Sequence, residues 1–204
     1  MTPLLSIWFE PRKTIRYLID NYDPVSVWIL AILEGIKESI NWASTGRMGE
    51  RHDLDVIVLV ILVAGPILGV SGNWFCAFFA RWVGRKFGGK ASLEGLLTVV
   101  VWCSLPVILL LPLWSLLIWS FGANVFSPNI SDLVIHSGNL GSIILYFGYL
   151  FLKFMAIVWG LVIAIVGVSE AQGFTKWNAF ANMILSGFLT YLILGLPIYF
   201  IFRF

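Results

Sequence analysis

VIVLVILVAGPILGVSGNWFCAFFA, residues 56–80, contains no Asp, Glu, Lys or Arg. A helix rises ~1.5 Å per residue and the hydrocarbon layer of a bilayer is ~30 Å thick, so roughly 20 residues of this kind cross it. Residues 95–131 and 177–202 are equally free of those four residue types. A soluble core has no use for several such runs in a chain of 204 residues. In lipid, backbone N–H and C=O groups find their partners within the protein, helix by helix. The pattern therefore specifies an all-α, polytopic transmembrane helical bundle.

Composition agrees. The chain is 59% hydrophobic and 12% charged, with a mean hydropathy of +0.92, where soluble domains carry ~25% charged residues. The length suits one bundle and leaves no room for a second globular domain. A net charge of +2 is too small to argue for nucleic acid, and the basic residues gather at the edges of the apolar runs. Cys76 and Cys103 lie inside those runs without a CxxC pair or a nearby His, so they read as small packing side chains. The start, MTPLLSIWFEPRK, lacks the order of a cleavable signal peptide, and the first span is expected to act as an uncleaved anchor.

Two units are expected: an interfacial N-terminal segment, residues 1–23, and a five-span transmembrane domain, residues 24–204. In the first, Pro11 opens a short helix with Arg12, Lys13 and Arg16 on its polar side and Ile15, Leu18 and Ile19 on its apolar side. Asp23-Pro24 is a helix start, an acceptor at the cap followed by proline in the first turn. The first span should run over residues 24–42 and stop at Ser44-Thr45-Gly46. Asp53 can cap the second span, in which Gly65-Pro66, Gly69 and Gly72 predict a kink or a close helix contact. Ser92 caps the third, which Pro106 and Pro112 should bend or unwind. Residues 121–141 form a connection whose Phe126 and 133–135 patches dip into the interface. The fourth span covers 142–168 and the fifth 177–202, capped by Thr175 and perturbed near Gly195 and Pro197. The connection between the second and third spans holds Arg81, Arg85, Lys86 and Lys90, while those on the other side are mildly acidic. Positive charge is retained in the cytoplasm, which places the N-terminus inside and Phe204 outside.

The first span carries Glu34, Lys37 and Glu38, an i, i+3, i+4 set on one helical face. Charges at this depth are costly unless paired, turned into the bundle or hydrated. A Glu34–Lys37 pair would leave Glu38 as a net acid, with Lys153 of the fourth span as its partner across the bundle. Two readings stay open: the cluster lines a polar cavity for protons, ions or a headgroup, or the charges merely pair on a half-submerged helix. Glu170 is expected to reach Arg81 or Arg85 and lock two cytoplasmic connections. Asn73, Ser104, Asn178 and Asn182 are expected to make interhelical hydrogen bonds. His52 and His136, far apart in sequence, do not make a metal-ligand pattern with the scattered acids, and His136 with Asp132 one turn away is only a weak candidate. HExxH, GxSxG, a P-loop and CxxC are all missing from the sequence; no catalytic residue, metal or cofactor is expected.

The stretch WVGRKFGGKAS, residues 82–92, with Trp102-Cys103-Ser104-Leu105-Pro106 and the turn EAQGFTKWNA, residues 170–179, resembles the Yip1 family of five-span membrane proteins. The likeness covers roughly residues 11–201. It implies a family whose eukaryotic members reside in Golgi and endoplasmic reticulum membranes, associate with Rab-type GTPases and one another, and support vesicle traffic and membrane shaping. Those members carry a sizeable cytosolic region before the spans. Only residues 1–23 precede them here, which points to the bacterial and archaeal branch and away from Rab binding. An acidic residue in the first span matters in relatives, which draws interest to Glu34 and Glu38.

Two functions are in competition. One is a non-enzymatic organiser of the cell membrane, whose Arg81, Arg85, Lys86 and Lys90 meet anionic lipid headgroups and whose surface meets membrane-protein partners or a second copy. The other is a small transporter, channel or lipid-handling protein using Glu34, Lys37, Glu38 and Lys153. A cavity reaching Glu34, Glu38 and Lys153 together would favour the second.

Overall fold

The computed structural model describes residues 2–197, and among them there is no strand. The expected end of the last span at Phe202 and the placing of Phe204 fall outside the described residues. A single turn, α1 (Pro3–Ser6), precedes α2 (Pro11–Asp20), and then α3 (Pro24–Thr45) and α4 (Leu54–Lys86) pack as an antiparallel pair. Three shorter helices follow, α5 (Leu93–Cys103), α6 (Leu105–Ile108) and α7 (Leu111–Phe121), then the connecting α8 (Ile130–His136). The long α9 (Leu140–Gln172) and α10 (Lys176–Thr190) complete the bundle.

Local chemistry sets most of these boundaries. The Asp23 carboxylate accepts from the amides of Val25 and Ser26 at 3.1 and 3.2 Å, with Pro24 in the first turn. Ser92 accepts from Gly95 N–H at 3.0 Å and Thr175 from Asn178 N–H at 3.4 Å. Asp53 precedes α4 in extended backbone, but its side chain caps nothing. Pro66 lies inside α4 without ending it, because the glycines around it are clamped against α3. Pro106 and Pro112 each fall in the first turn of a new helix, where a missing N–H costs nothing. The segments Leu93–Ile108 and Leu111–Phe126 are bent by 43° to one another. After α10 the chain widens into i→i+5 turns over Tyr191–Gly195, the form taken by the disturbance expected near Gly195 and Pro197.

Membrane helices associate through close packing rather than through exclusion of water, so small residues mark their interfaces. The α3 helix presents Ala31, Gly35, Ser39 and Ala43, all buried, at every fourth position. Facing them, α4 presents Gly65, Gly69, Asn73 and Ala77 at the same spacing. A Cβ on Gly35 would strike the Gly65 carbonyl oxygen and the Gly69 backbone; one on Gly69 would strike the Ala31 carbonyl oxygen and the Gly35 backbone. Backbone touches backbone along this seam.

Two apolar cores sit at opposite ends of the bundle. One joins α2, the first half of α3, the last part of α4, α5 and the end of α9, through Ile15, Leu18, Val27, Leu30, Ala80, Leu96 and Ile163. The other joins the end of α3 to the start of α4, α7 and the start of α9, through Ile40, Ile57, Trp114, Leu117 and Tyr149. Phe126, expected to dip into the interface, instead turns inward: it is fully buried and stacks on Trp114 with ring centroids 5.8 Å apart. Filling the end of this core buries more of the ring than a place among headgroups would. Similarly, α2 does more than lie on lipid, since its Thr14, Ile15 and Leu18 are buried against α5 and α9.

Leu54–Lys86, Leu140–Gln172 and Lys176–Gly195 are long and apolar enough to cross a bilayer, and the bent α5–α7 unit brings the number to as many as four. Their outer faces are unbroken hydrocarbon, for example Leu59, Leu62, Val63 and Ile67 of α4 and Phe151 and Phe154 of α9. This is a multi-pass membrane protein.

The glycine seam makes a sharp prediction. Gly69→Ala should lower stability by about 1–3 kcal/mol, the usual range for overpacking. A Cβ at Gly72, three residues away on the same helix, meets nothing within 4 Å, so Gly72→Ala should leave the melting temperature unchanged or slightly raised. Thermal unfolding in one detergent compares the two, and equal effects would refute the seam.

Candidate functional site

Between the two cores the bundle holds a belt of polar side chains. The close approach at Gly69 carries Asn73, one turn further along α4, onto Glu34 of α3. The Asn73 amide donates to one Glu34 oxygen and, at 2.7 Å, to the Gly69 carbonyl. Ser104, at the break between α5 and α6, donates to the other Glu34 oxygen at 3.3 Å. The break frees this residue from a regular helix face, and the Ser104 carbonyl takes the N–H groups of both Val107 and Ile108 at 3.0 Å.

Lys37 divides the two acids differently from the sequence expectation. Its ammonium is 3.2 Å from Glu38 and 3.8 Å from Glu34. Glu34 already has two neutral donors from other helices, so Lys37 is drawn to the acid with fewer. Lys153 does not touch Glu38 directly. It donates to Asn41 Oδ1 at 2.9 Å, and Asn41 Nδ2 donates to Glu38 at 3.2 Å. An amide suits this position because it offers an acceptor to the ammonium and a donor to the carboxylate. The Lys153 ammonium also lies 5.9 Å from the centre of the Tyr149 ring. The resulting chain runs from Asn73 and Ser104 through Glu34, Lys37, Glu38 and Asn41 to Lys153, across four segments of the bundle.

Cavities flank this chain. One of about 460 Å³ is lined by Glu34, Glu38, Ser39, Asn73 and apolar side chains of α4 and of the turns after α10. Another of about 400 Å³ is lined by Asn41, Lys153, Tyr149 and Trp114. Glu34 and Glu38 thus face one space and Lys153 another, with the Asn41 bridge between them. The cluster neither closes entirely on itself nor lines one common cavity.

The second polar region lies at the bundle end that holds α2, residues 87–92 and residues 173–175. Glu170, only 11% exposed, takes the guanidinium of Arg12 at 2.7 Å and that of Arg16 at 2.6 Å. The expected pairing with Arg81 or Arg85 does not form, because α2 docks on α9 and covers the acid first. Gln172 and Asn182 lock the two connections instead. The Gln172 amide donates to the Ala80 carbonyl at 3.0 Å and accepts from Ala91 N–H at 3.2 Å; Asn182 donates to the same Ala80 carbonyl at 2.9 Å. Gly88 and Gly173, at φ +82° and +73°, turn the chain on each side, and Phe87 meets Phe174 edge to face at 6.2 Å. Arg85, Lys86 and Lys90 are left exposed on this locked platform, Lys86 over the Trp82 ring at 5.9 Å. Arg81 is further in, its Nε buried and without a partner among the described residues.

Of the polar side chains singled out in the sequence, Asn73, Ser104 and Asn182 reach across helices, whereas Asn178 serves only the start of α10 through its backbone. Asn41 was missed, although its place one turn after Glu38 on α3 was a usable signal. His136 bonds the Asp132 carbonyl rather than its carboxylate, at 2.7 Å. No group of His, Cys, Asp and Glu able to hold a metal occurs among the described residues.

If Asn41 couples the two charges, Asn41→Leu should cost about 1–3 kcal/mol by leaving both unmatched. Adding Lys153→Met to that variant should restore part of the loss, since the unpaired ammonium is gone. A double-mutant cycle of unfolding free energies in detergent measures this, and strictly additive effects would exclude the bridge.

The comparisons with known proteins follow the same lines. The sequence profile of the Yip1 domain matches residues 5–196, from α1 to the last turns after α10. No curated protein sequence and no solved structure matches the chain. On the extent of that profile match, the chain belongs to the Yip1 domain family of membrane proteins.

Proposed function

We propose that this chain is a non-enzymatic organiser of the cell membrane, crossing it five times with its N-terminus in the cytoplasm and holding anionic lipid headgroups and protein partners at its basic end. The fifth span in this count is α3, whose length of 22 residues is sufficient and whose charges are matched inside the bundle. The observation that carries the reading is the construction of the basic end. Arg85, Lys86 and Lys90 are exposed beside exposed Trp82 and Phe87, on connections that Gln172 and Asn182 hold rigid. Arg12, Lys13, Arg16 and Lys176 are exposed at the same end. Aromatic side chains favour the headgroup level, and basic ones there gain about 1 kcal/mol each from anionic lipid. The opposite end mixes Arg47 and Arg51 with Glu50, Asp53, Asp55 and Asp132, so retention of positive charge in the cytoplasm orients the bundle.

Lipid retention tests this. Protein extracted from vesicles of mixed phosphatidylglycerol and phosphatidylcholine should keep the anionic lipid preferentially in native mass spectrometry. The triple variant Arg85→Gln, Lys86→Gln, Lys90→Gln should lose roughly tenfold or more of that preference, with high salt acting in the same direction. An unmodified protein that retains both lipids equally would overturn the proposal.

A further inference from the structure

The 460 Å³ cavity between α3, α4 and the turns after α10 has a chemistry of its own, separate from the basic end. Its polar lining combines the acceptors of Glu34, Glu38 and Asn73 with the hydroxyls of Ser39, Thr190 and Tyr191 and the indole of Trp42, Thr190 donating to the Ser186 carbonyl at 2.8 Å. The Asn73 amide group is spent on Glu34 and on the Gly69 carbonyl, which leaves its Oδ1 with no bond among the described residues. One oxygen of Glu38 is taken by Lys37 and Asn41, and the other has no partner among the described residues. Ser39 is 0% exposed, and its hydroxyl is without a hydrogen-bond partner among the described residues. A buried hydroxyl left unmatched in an apolar setting is costly, and here it stands one residue from Glu38 and on the same cavity. Among the described residues no Lys, Arg or His lines this space, and the two acids on it share one nearby lysine, Lys37.

An occupant that brings N–H donors and a positive charge would match the two acids and the open Asn73 oxygen. The remaining walls include Leu68, Val100, Tyr191 and Leu194, which suit an apolar body attached to that charge. The volume lies in the range of sites for small organic ligands, about 300–1,000 Å³. A bare metal ion would leave such walls unfilled, and an anion would face two carboxylates. We propose that this cavity binds a primary ammonium group carried on an apolar body, the ammonium donating to Glu38, Ser39 and Asn73. The same chemistry could be offered by a soluble alkylamine or by the headgroup of an ethanolamine lipid.

The test uses the full chain in detergent at neutral pH, titrated calorimetrically with octylamine and with octanol, a probe of equal chain length lacking the charge. Octylamine should bind saturably and at least tenfold more tightly than octanol. Glu38→Gln should weaken octylamine roughly tenfold, as expected for loss of a charged acceptor, and Ser39→Ala should weaken it by a smaller factor. Glu50→Gln removes an acid at the far end of the bundle and should change nothing. A second arm reconstitutes the protein with ethanolamine and choline lipids. Retention of the ethanolamine lipid, lost in Glu38→Gln, identifies a headgroup as the source, whereas octylamine binding without that preference identifies a soluble amine. Equal binding of octylamine and octanol by the unmodified protein overturns the proposal, as does unchanged octylamine affinity in Glu38→Gln. If Glu38→Gln does not fold, Ser39→Ala with undiminished affinity overturns it. These outcomes are independent of anionic-lipid retention at the basic end.

Discussion

The arrangement of polar groups in this protein depends on how closely α3 and α4 can approach. Gly35 meets Gly65 and Gly69 backbone to backbone, and that contact decides which side chains further along the seam can touch. Were the helices separated by the ordinary 8–10 Å of larger contact residues, the short Asn73 side chain would fall away from Glu34. Glu34 would then lose its interhelical amide donor, a costly loss for a carboxylate set among apolar side chains. The glycines thus act on function at one remove: they set the distance at which a charge becomes tolerable.

The same logic extends across the bundle. Two of the charged groups in the belt are matched from other segments, Glu34 by α4 and by the α5–α6 break, and Lys153 of α9 by Asn41 of α3, while Lys37 and Glu38 pair within α3. Because the apolar cores lie towards the two ends, the belt ties four parts of the fold together along about two turns of α3. It also partitions the interior, giving acceptors to one cavity and the Lys153 ammonium to another. The basic end is built differently. There the network of Gln172, Asn182 and Ala80 is structural, and Arg85, Lys86 and Lys90 around it are left to face outward.

Features governed by a few adjacent residues were legible in the sequence. Asp23-Pro24, Ser92 and Thr175 start helices because a cap is a local bond, and Pro106 and Pro112 break a span because a ring cannot donate. The all-helical class followed from uncharged runs too long for any other use. Features that join distant segments were not legible. Gly65 and Gly69 announced a close contact, yet nothing adjacent to them named Gly35 as the partner. Glu170 was assigned to basic residues of a neighbouring connection, while Arg12 and Arg16 reach it because α2 docks by its apolar face. Lys153 was expected to meet Glu38 across the bundle, whereas it bonds Asn41, an amide that carries no charge and drew no notice.

On this account α3 is a full membrane span, although its charges make it the least apolar of the long helices. The direct measurement is sidedness of labelling at its two ends. Single cysteines replacing Asn21 and Gly46, in a chain whose Cys76 and Cys103 are changed to Ala, would be treated with a membrane-impermeant thiol reagent in sealed, oriented vesicles. The account predicts that one is modified only from the cytoplasmic side and the other only from the opposite side. Modification of both from the same side would mean that α3 turns back or lies along the surface, and the belt described above could not be buried at the centre of the membrane.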